Sequence, residues 1–260
     1  MRSVRRPAVA GSFYPADPRV LADMVDGFLM AGAPLEAPPK ALVAPHAGYV
    51  YSGGVAGLAF GTLAPVRALV RRVVLLGPTH RVAVRGLALP GCDALATPLG
   101  EIEVDAAAAV GLDHVVTRPD VHAQEHSLEV QLPFLQRALD DFTVVPLAVG
   151  SASPAEVAAV LAALWGGPET LIVVSSDLSH YHSSATARAL DAATIDAVLG
   201  LADDIAPEQA CGAAPLNGLL AAAPRHGITP VLLGSCNSGD TAGDRGRVVG
   251  YAAFAFVGES

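Results

Sequence analysis

The chain has 260 residues, 52% of them apolar, 5% aromatic and 16% charged, with a formal charge of −9. A chain of this length buries roughly three quarters of the surface its unfolded form exposes, so it needs no disulfide staple, and its core has to be built from Ala, Val and Leu. Lys40 is the only lysine, so there is no basic stripe to track a phosphate backbone, and nucleic acid is excluded as an expected partner.

The opening MRSVRRPAVAGSFYP is basic, but Pro7, Gly11 and Pro15 interrupt any apolar stretch of signal-peptide length. Helical composition and spacing follow at Pro18–Met30, then a strand at Ala41–Ala44, a helix at Gly54–Leu63, and strands at Val73–Gly77 and Gly86–Leu89. Beyond these the pattern predicts a helix at Ser127–Leu139, a strand at Val144–Val149, a helix at Pro154–Leu164 and a strand at Leu171–Ser175. The last third reads as helices at Ala185–Leu199 and Pro207–Ala222 followed by strands at Pro230–Leu233 and Val248–Phe256. Ser153–Pro154 with Glu156 is a helix start with an N-cap, a proline in the first turn and an acid at the third position, and Ala206–Pro207–Glu208 opens in a similar way. Most strand runs are apolar without alternation, which signals burial on both faces. The expected fold is α/β, one domain over residues 1–260, with a mostly parallel or mixed central sheet and helices on both faces. No run reaches the ~18 apolar residues of a membrane span. Cys92, Cys211 and Cys236 form no CxxC pair, and the reading is a soluble protein of a reducing cytoplasm.

The polar residues are placed informatively. One strand runs into Ala44–Pro45–His46, a second into Gly77–Pro78–Thr79–His80, and a third into Ser175–Ser176–Asp177–Leu178–Ser179–His180. Carboxyl ends of parallel strands share one edge, where ligands usually bind, so the three histidines are expected around one site. A single histidine in such a place more often caps a strand, but three together favour a shared site with a metal as occupant. Asp177 is suited to supply a carboxylate ligand or a hydrogen bond to a ligating ring. A second cluster, His122, Glu125 and His126, spells the inverted zinc-peptidase pattern H-x-x-E-H. That pattern needs both histidines on one helix, whereas Ser127 is a good N-cap that would start the helix after them; Glu125 and His126 are instead candidates for acid/base work at the sheet edge. The Gly-rich turn Gly48–Gly57 offers amides at a helix start for an anion, with packing glycines an equally good explanation. In the turn-rich segment Ser235–Asp244, Cys236, Asp240 or Asp244 are candidates to complete a metal shell, while Cys211 reads as a packed thiol.

Six segments carry a resemblance: Arg6–Pro15 (RPAVAGSFYP), Ala44–Gly53 (APHAGYVYSG), Leu76–His80 (LGPTH), Glu125–Leu135 (EHSLEVQLPFL), Ser175–Tyr181 (SSDLSHY) and Cys211–Gly212. In this order they resemble the Memo family, whose prokaryotic members are named as component B of a three-part system with a radical-SAM protein. The family is similar in fold to class III extradiol dioxygenases, which are non-haem Fe(II) enzymes. The resemblance implies His46 and His80 as metal ligands, and His180 as a third ligand or as the acid/base group over the metal. It implies Fe(II) or copper, with zinc also compatible, and possible partner proteins of the radical-SAM-associated system. The eukaryotic pattern has a cysteine ligand near the C-terminus, and alignment through Val249–Tyr251 puts that position near Thr241 rather than Cys236. The leading expectation is a metal-dependent redox or oxygenase-like enzyme acting on an unknown small molecule or peptide. The alternatives are a non-catalytic module that holds an anionic peptide or partner protein in the same pocket, and zinc-assisted hydrolysis.

Overall fold

The four central strand runs are apolar at successive positions, and that alone dictates a layer with helices on both sides. In the computed structural model, which describes residues 2–258, the chain runs β1 (Val4–Arg5), α1 (Pro18–Leu29), β2 (Pro39–Ala44), α2 (Tyr49–Gly61), β3 (Arg72–Pro78) and β4 (Leu87–Leu89). Then come β5 (Ala94–Thr97), β6 (Gly100–Glu103), β7 (Val115–Thr117), α3 (Pro119–Ala123), α4 (Leu132–Ala138), β8 (Thr143–Val149), α5 (Pro154–Leu164) and β9 (Thr170–Ser175). The chain continues through β10 (His180–His182), α6 (Ser184–Leu199), α7 (Ala213–Ala222), β11 (Ile228–Asn237), α8 (Ser238–Thr241) and β12 (Val248–Gly258).

The main sheet has the order β10-β12-β2-β9-β3-β8-β4-β7, with β11 paired along β12. Its centre, β2-β9-β3-β8, is parallel, whereas β12 runs antiparallel to β2 and β4 antiparallel to β8. The sheet is therefore mixed, as the sequence pattern allowed. Neighbouring residues point to opposite faces. Leu42, Val73, Leu75 and Val173 pack with Leu21, Val25, Phe60 and Phe134 of α1, α2 and α4 on one side. Ala41, Val74, Leu76 and Ile172 pack with Val157, Leu161, Leu216 and Leu219 of α5 and α7 on the other. Close helix packing on the first face requires glycine, because a Cβ at Gly57 of α2 would lie 2.3 Å from the Phe28 carbonyl oxygen. A separate three-stranded sheet, β1-β5-β6, lies outside the main one. Among the described residues no helix is long and apolar enough to cross a membrane.

Three predicted helices start several residues from their expected positions. The segment predicted as Gly54–Leu63 starts earlier, at Tyr49, with Gly48 as its N-cap. The segment Ser127–Leu139 does not open on a Ser127 cap: the Ser127 hydroxyl donates to Pro78 O at 2.8 Å, and regular helix begins only at Leu132. The predicted Pro207–Ala222 helix starts at Ala213, because Cys211 N is bound by Asp177 O and Gly212 N by Ser176 Oγ at the end of β9. Where the cap was read correctly, at Ser153, the full reciprocal pair with Glu156 forms.

Candidate metal centre

Register brings the strand ends together. Ala44 of β2 stands beside Ser175 of β9, and Leu76 of β3 beside Val174. The residues that leave these strands, His46, His80, Asp177 and His180, consequently line one cavity of about 790 Å³, with His126 and Cys211. His46 is 5.2 Å from His80 and 5.5 Å from His126 between ring centroids, and His80 stacks on His126 at 4.7 Å. The expectation that the three strand-end histidines share a site agrees with this geometry.

His46, His80 and His180 are each held from behind. The Ser175 hydroxyl donates to Ser127 O at 2.7 Å and accepts from Gln131 Nε2 at 2.7 Å. One lone pair remains to Ser175, so its 2.8 Å contact with His46 Nδ1 has the imidazole N–H as donor. His46 Nε2 is therefore the nitrogen that carries the lone pair, and it faces the Cys211 thiol at 3.2 Å. His80 donates from Nδ1 to Glu125 Oε1 at 2.8 Å, and His180 Nδ1 is bonded to Leu178 O at 2.8 Å. Engaging one ring nitrogen in this way fixes the ring and leaves the other for a ligand. Burial, with repulsion from His80, His126 and His180, holds His46 well below the ordinary histidine range. Burial likewise lowers His126 to about 4 and lowers His180. These rings are thus neutral near pH 7, the state in which imidazole binds metals.

Glu125 does not line the cavity. It is buried beneath His80, whose backbone N–H it accepts at 2.6 Å, and it also accepts from His126 N and Ser127 N, each at 2.9 Å. Burial opposes its ionisation, but these bonds and the His80 ring prevail and hold the carboxyl at about 2. Asp177 is buried and accepts from His46 N at 2.7 Å, and burial raises it to about 7. His122 points elsewhere: its Nε2 contacts Ala88 O at 2.7 Å in the interior, so the H-x-x-E-H letters form no paired-histidine helix.

One buried carboxylate joins two distant segments to this edge. Glu129 accepts from Arg5 Nη1 and Ala8 N at 2.8 Å, from Val9 N at 2.9 Å and from Tyr14 Oη at 2.7 Å. Arg5 also donates to His122 O and Glu125 O. The N-terminal segment is thereby strapped beside the site, with Phe13 4.7 Å from His126 between ring centroids.

Three overlapping sets of donor atoms lie within 4.8 Å of one another: His46, His80, Cys211; His80, Glu125, His126; and Asp177, His180, Cys211. Among the described residues no such set contains Cys236, Asp240 or Asp244. Cys236 lies on β11 opposite Tyr251, Asp240 pairs with Arg188 at 2.6 Å while capping α8, and Asp244 accepts from Gly246 N. The segment expected to complete the shell is therefore committed to its own turns. Cys211, read from the sequence as a packed thiol, is instead 3.2 Å from His46 Nε2. The signal available for it was the Cys-Gly pair ahead of a helix, which says nothing of a strand end 165 residues away.

The profile of the Memo-like protein family matches residues 5–255. A MEMO1 family protein of Archaeoglobus fulgidus is 37% identical over 270 residues, covering 97% of this chain and 99% of the relative. A MEMO1 family protein of Aquifex aeolicus is also 37% identical, covering 98% and 99%. One from Sulfolobus acidocaldarius is 33% identical over 97% and 99%. Matches of this extent, over a chain whose quoted segments converge on one cavity, show that the protein belongs to the Memo-like family.

Proposed function

We propose that this protein holds a divalent transition metal through His46 and His80 and uses it in redox or oxygenase-like chemistry on a small molecule or peptide. The observation that carries the metal reading is the orientation of the two rings. Both have Nδ1 engaged by a protein partner, Ser175 or Glu125, which leaves Nε2 as the lone-pair nitrogen of each ring, and both rings line the cavity. The donor set suits Fe(II) or copper and accepts zinc, whereas Mg²⁺ and Ca²⁺ prefer all-oxygen sites. Such a metal, when bound, supplies Lewis acidity or electron transfer. His126 and His180, neutral and lining the cavity, are suited to accept a proton from a bound ligand, and Glu125 keeps His80 oriented. Partner proteins of the radical-SAM-associated system are proposed from the family resemblance alone.

A second reading, a binding pocket without chemistry, draws support from Arg81 at the cavity wall and Arg247 in the adjoining pocket, in a chain of formal charge −9. Elemental analysis of protein purified without added metal, followed by absorption spectra without and with oxygen, separates the readings. Stoichiometric iron or copper with an oxygen-dependent spectrum supports the redox proposal. Zinc with an unchanging spectrum favours hydrolysis, and a metal-free protein favours the binding pocket.

A further inference from the structure

We propose that two copies of the chain pair through the free edge of β11, antiparallel about a two-fold axis, so that their main sheets become continuous. Nothing in this pairing depends on the metal.

Strand β11, Ile228–Asn237, is paired only along β12 and so presents a free edge. The other edge strands, β7 and β10, have three residues each, too short to template a further strand, whereas β11 has ten. None of the ten is charged. Val231 and Leu232, consecutive and therefore on opposite faces, are 38% and 36% exposed. On one face α2 flanks the strand, where a Cβ at Gly234 would lie 2.5 Å from Leu58 Cδ1. On the other lies α6, whose Val198 joins the core of that face and whose Ala192 and Ile195 share a groove with Ser235 and Cys236. Of the twelve exposed large hydrophobic side chains among the described residues, six belong to these three elements: Val50, Tyr51, Leu190, Leu199, Val231 and Leu232.

The backbone groups that turn outward are self-complementary. Gly250 of β12 donates to Ser179 O and accepts from Leu178 N, so it faces away from β11, while Tyr251, Ala253, Ala255 and Val257, in the opposite phase, face it. Their partners Cys236, Gly234, Val231 and Thr229 are thus bonded inward. With Leu233 bulged, the residues turned outward are Pro230, Leu232, Ser235 and Asn237, a spacing that reads the same in both directions. Among the described residues, neither Leu232 nor Ser235 has a backbone partner outside the β12 pairing. A two-fold axis through the middle of this set puts Leu232 opposite Ser235 and Pro230 opposite Asn237. The first pair exchanges both N–H···O bonds, and does so on each side of the axis. At the second, Pro230 has no N–H, and that of Asn237 is already bonded to Asp240 Oδ2 at 3.1 Å, so no donor is left over. The proline is tolerated because its nitrogen lies on the side away from β12.

The edge also offers sufficient area. Ten residues span ~33 Å, and a strand with a helix on either face is ~25 Å across, giving ~800 Å², which is what each partner contributes to a standard stable interface.

The test is sedimentation velocity of the full-length protein over a concentration series, with crosslinking as the readout of register. Wild type is expected to sediment at twice the 26.4 kDa of the chain. Leu232→Lys places a charge on the pairing edge, and Ser235→Pro removes an outward N–H without touching the β12 ladder; both are expected to be monomeric with unchanged circular dichroism. The pairing sets Val231 opposite Cys236 of the second copy as a non-hydrogen-bonded pair, ~4.5 Å between Cα atoms and within reach of a disulfide. Val231→Cys is therefore expected to give covalent dimers under mild oxidation, and Val231→Cys combined with Cys236→Ser is expected to give none. The crosslink needs no disrupted strand, so it decides the register even where an edge variant misfolds. A wild type that stays monomeric at every concentration overturns the proposal, including where a strand of another protein takes the edge instead. A dimer that survives both edge substitutions overturns it, as does crosslinking that fails with Val231→Cys or persists without Cys236.

Discussion

Removing the Glu129 side chain should be among the most damaging single changes in the chain. Glu129→Ala takes away the acceptor of four hydrogen bonds and the counter-charge of Arg5, whose side chain is only 10% exposed and whose partner is fully buried. Arg5 would keep His122 O and Glu125 O as acceptors but no anion. Breaking a buried ion pair from one side costs ~3–5 kcal/mol, a large share of the ~5–15 kcal/mol by which proteins are stable. Equilibrium urea unfolding followed by circular dichroism measures it. The expected result is a fall of that size in unfolding free energy, with Glu129→Gln intermediate because it retains one acceptor oxygen. Changing Arg5 to Met in the Ala background should recover part of the loss, since the unpaired cation is then gone. A loss below ~1 kcal/mol for Glu129→Ala would refute the reasoning, since it is the size expected of a solvent-screened pair.

Three further outcomes follow from buried groups in and around the site. Glu125→Gln should weaken metal binding ~10–100-fold by freeing the His80 ring, read by competitive chelator titration, while both strand-end ligands remain. His122 is buried and held at about 4 by desolvation, below the ordinary value of 6.5. Its depressed value means that the stability it contributes is intact above pH 6.5 and is lost as pH falls towards 4, by about 3 kcal/mol in all. The stability difference between wild type and His122→Gln should therefore shrink by about that amount between pH 7 and pH 4. Gly212→Ala should lower stability by ~1–3 kcal/mol, because its new Cβ meets Ser175 O and Ser176 at the end of β9. A urea-unfolding free energy equal to that of wild type would show that the close approach is unimportant.

The sheet was legible because β2, β3, β8 and β9 are apolar at successive positions, and only burial on both faces explains that. The α5 start was legible for a local reason, a capping serine and its glutamate three residues on. Elements decided by distant partners were not. The short strands β5, β6 and β7 carry too few residues to show a period, β10 is formed by pairing with β12, and the starts of α4 and α7 are set by bonds to Pro78 O and to β9. The site divides along the same line. His46, His80 and His180 were visible because each follows a buried run, and parallel strands share an edge. Glu129 as the anchor of Arg5, Glu125 as the support of His80 and Cys211 as the neighbour of His46 depend on contacts across 45 to 165 residues, which no local spacing records. The Cys236–Asp244 segment misled for the converse reason: its metal-ligand residue types serve its own turns and α8.

The central claim is that His46 and His80 hold a metal at the edge of the sheet, and the most direct measurement is the metal content and metal affinity of wild type, His46→Ala and His80→Ala under identical conditions. With Fe(II), copper and zinc each titrated into metal-free protein, wild type is expected to bind one equivalent. Both variants should lose stoichiometric binding yet keep the wild-type circular dichroism, because both rings lie beyond the strand ends rather than in the apolar core. Folded variants that bind metal as tightly as wild type would contradict the account.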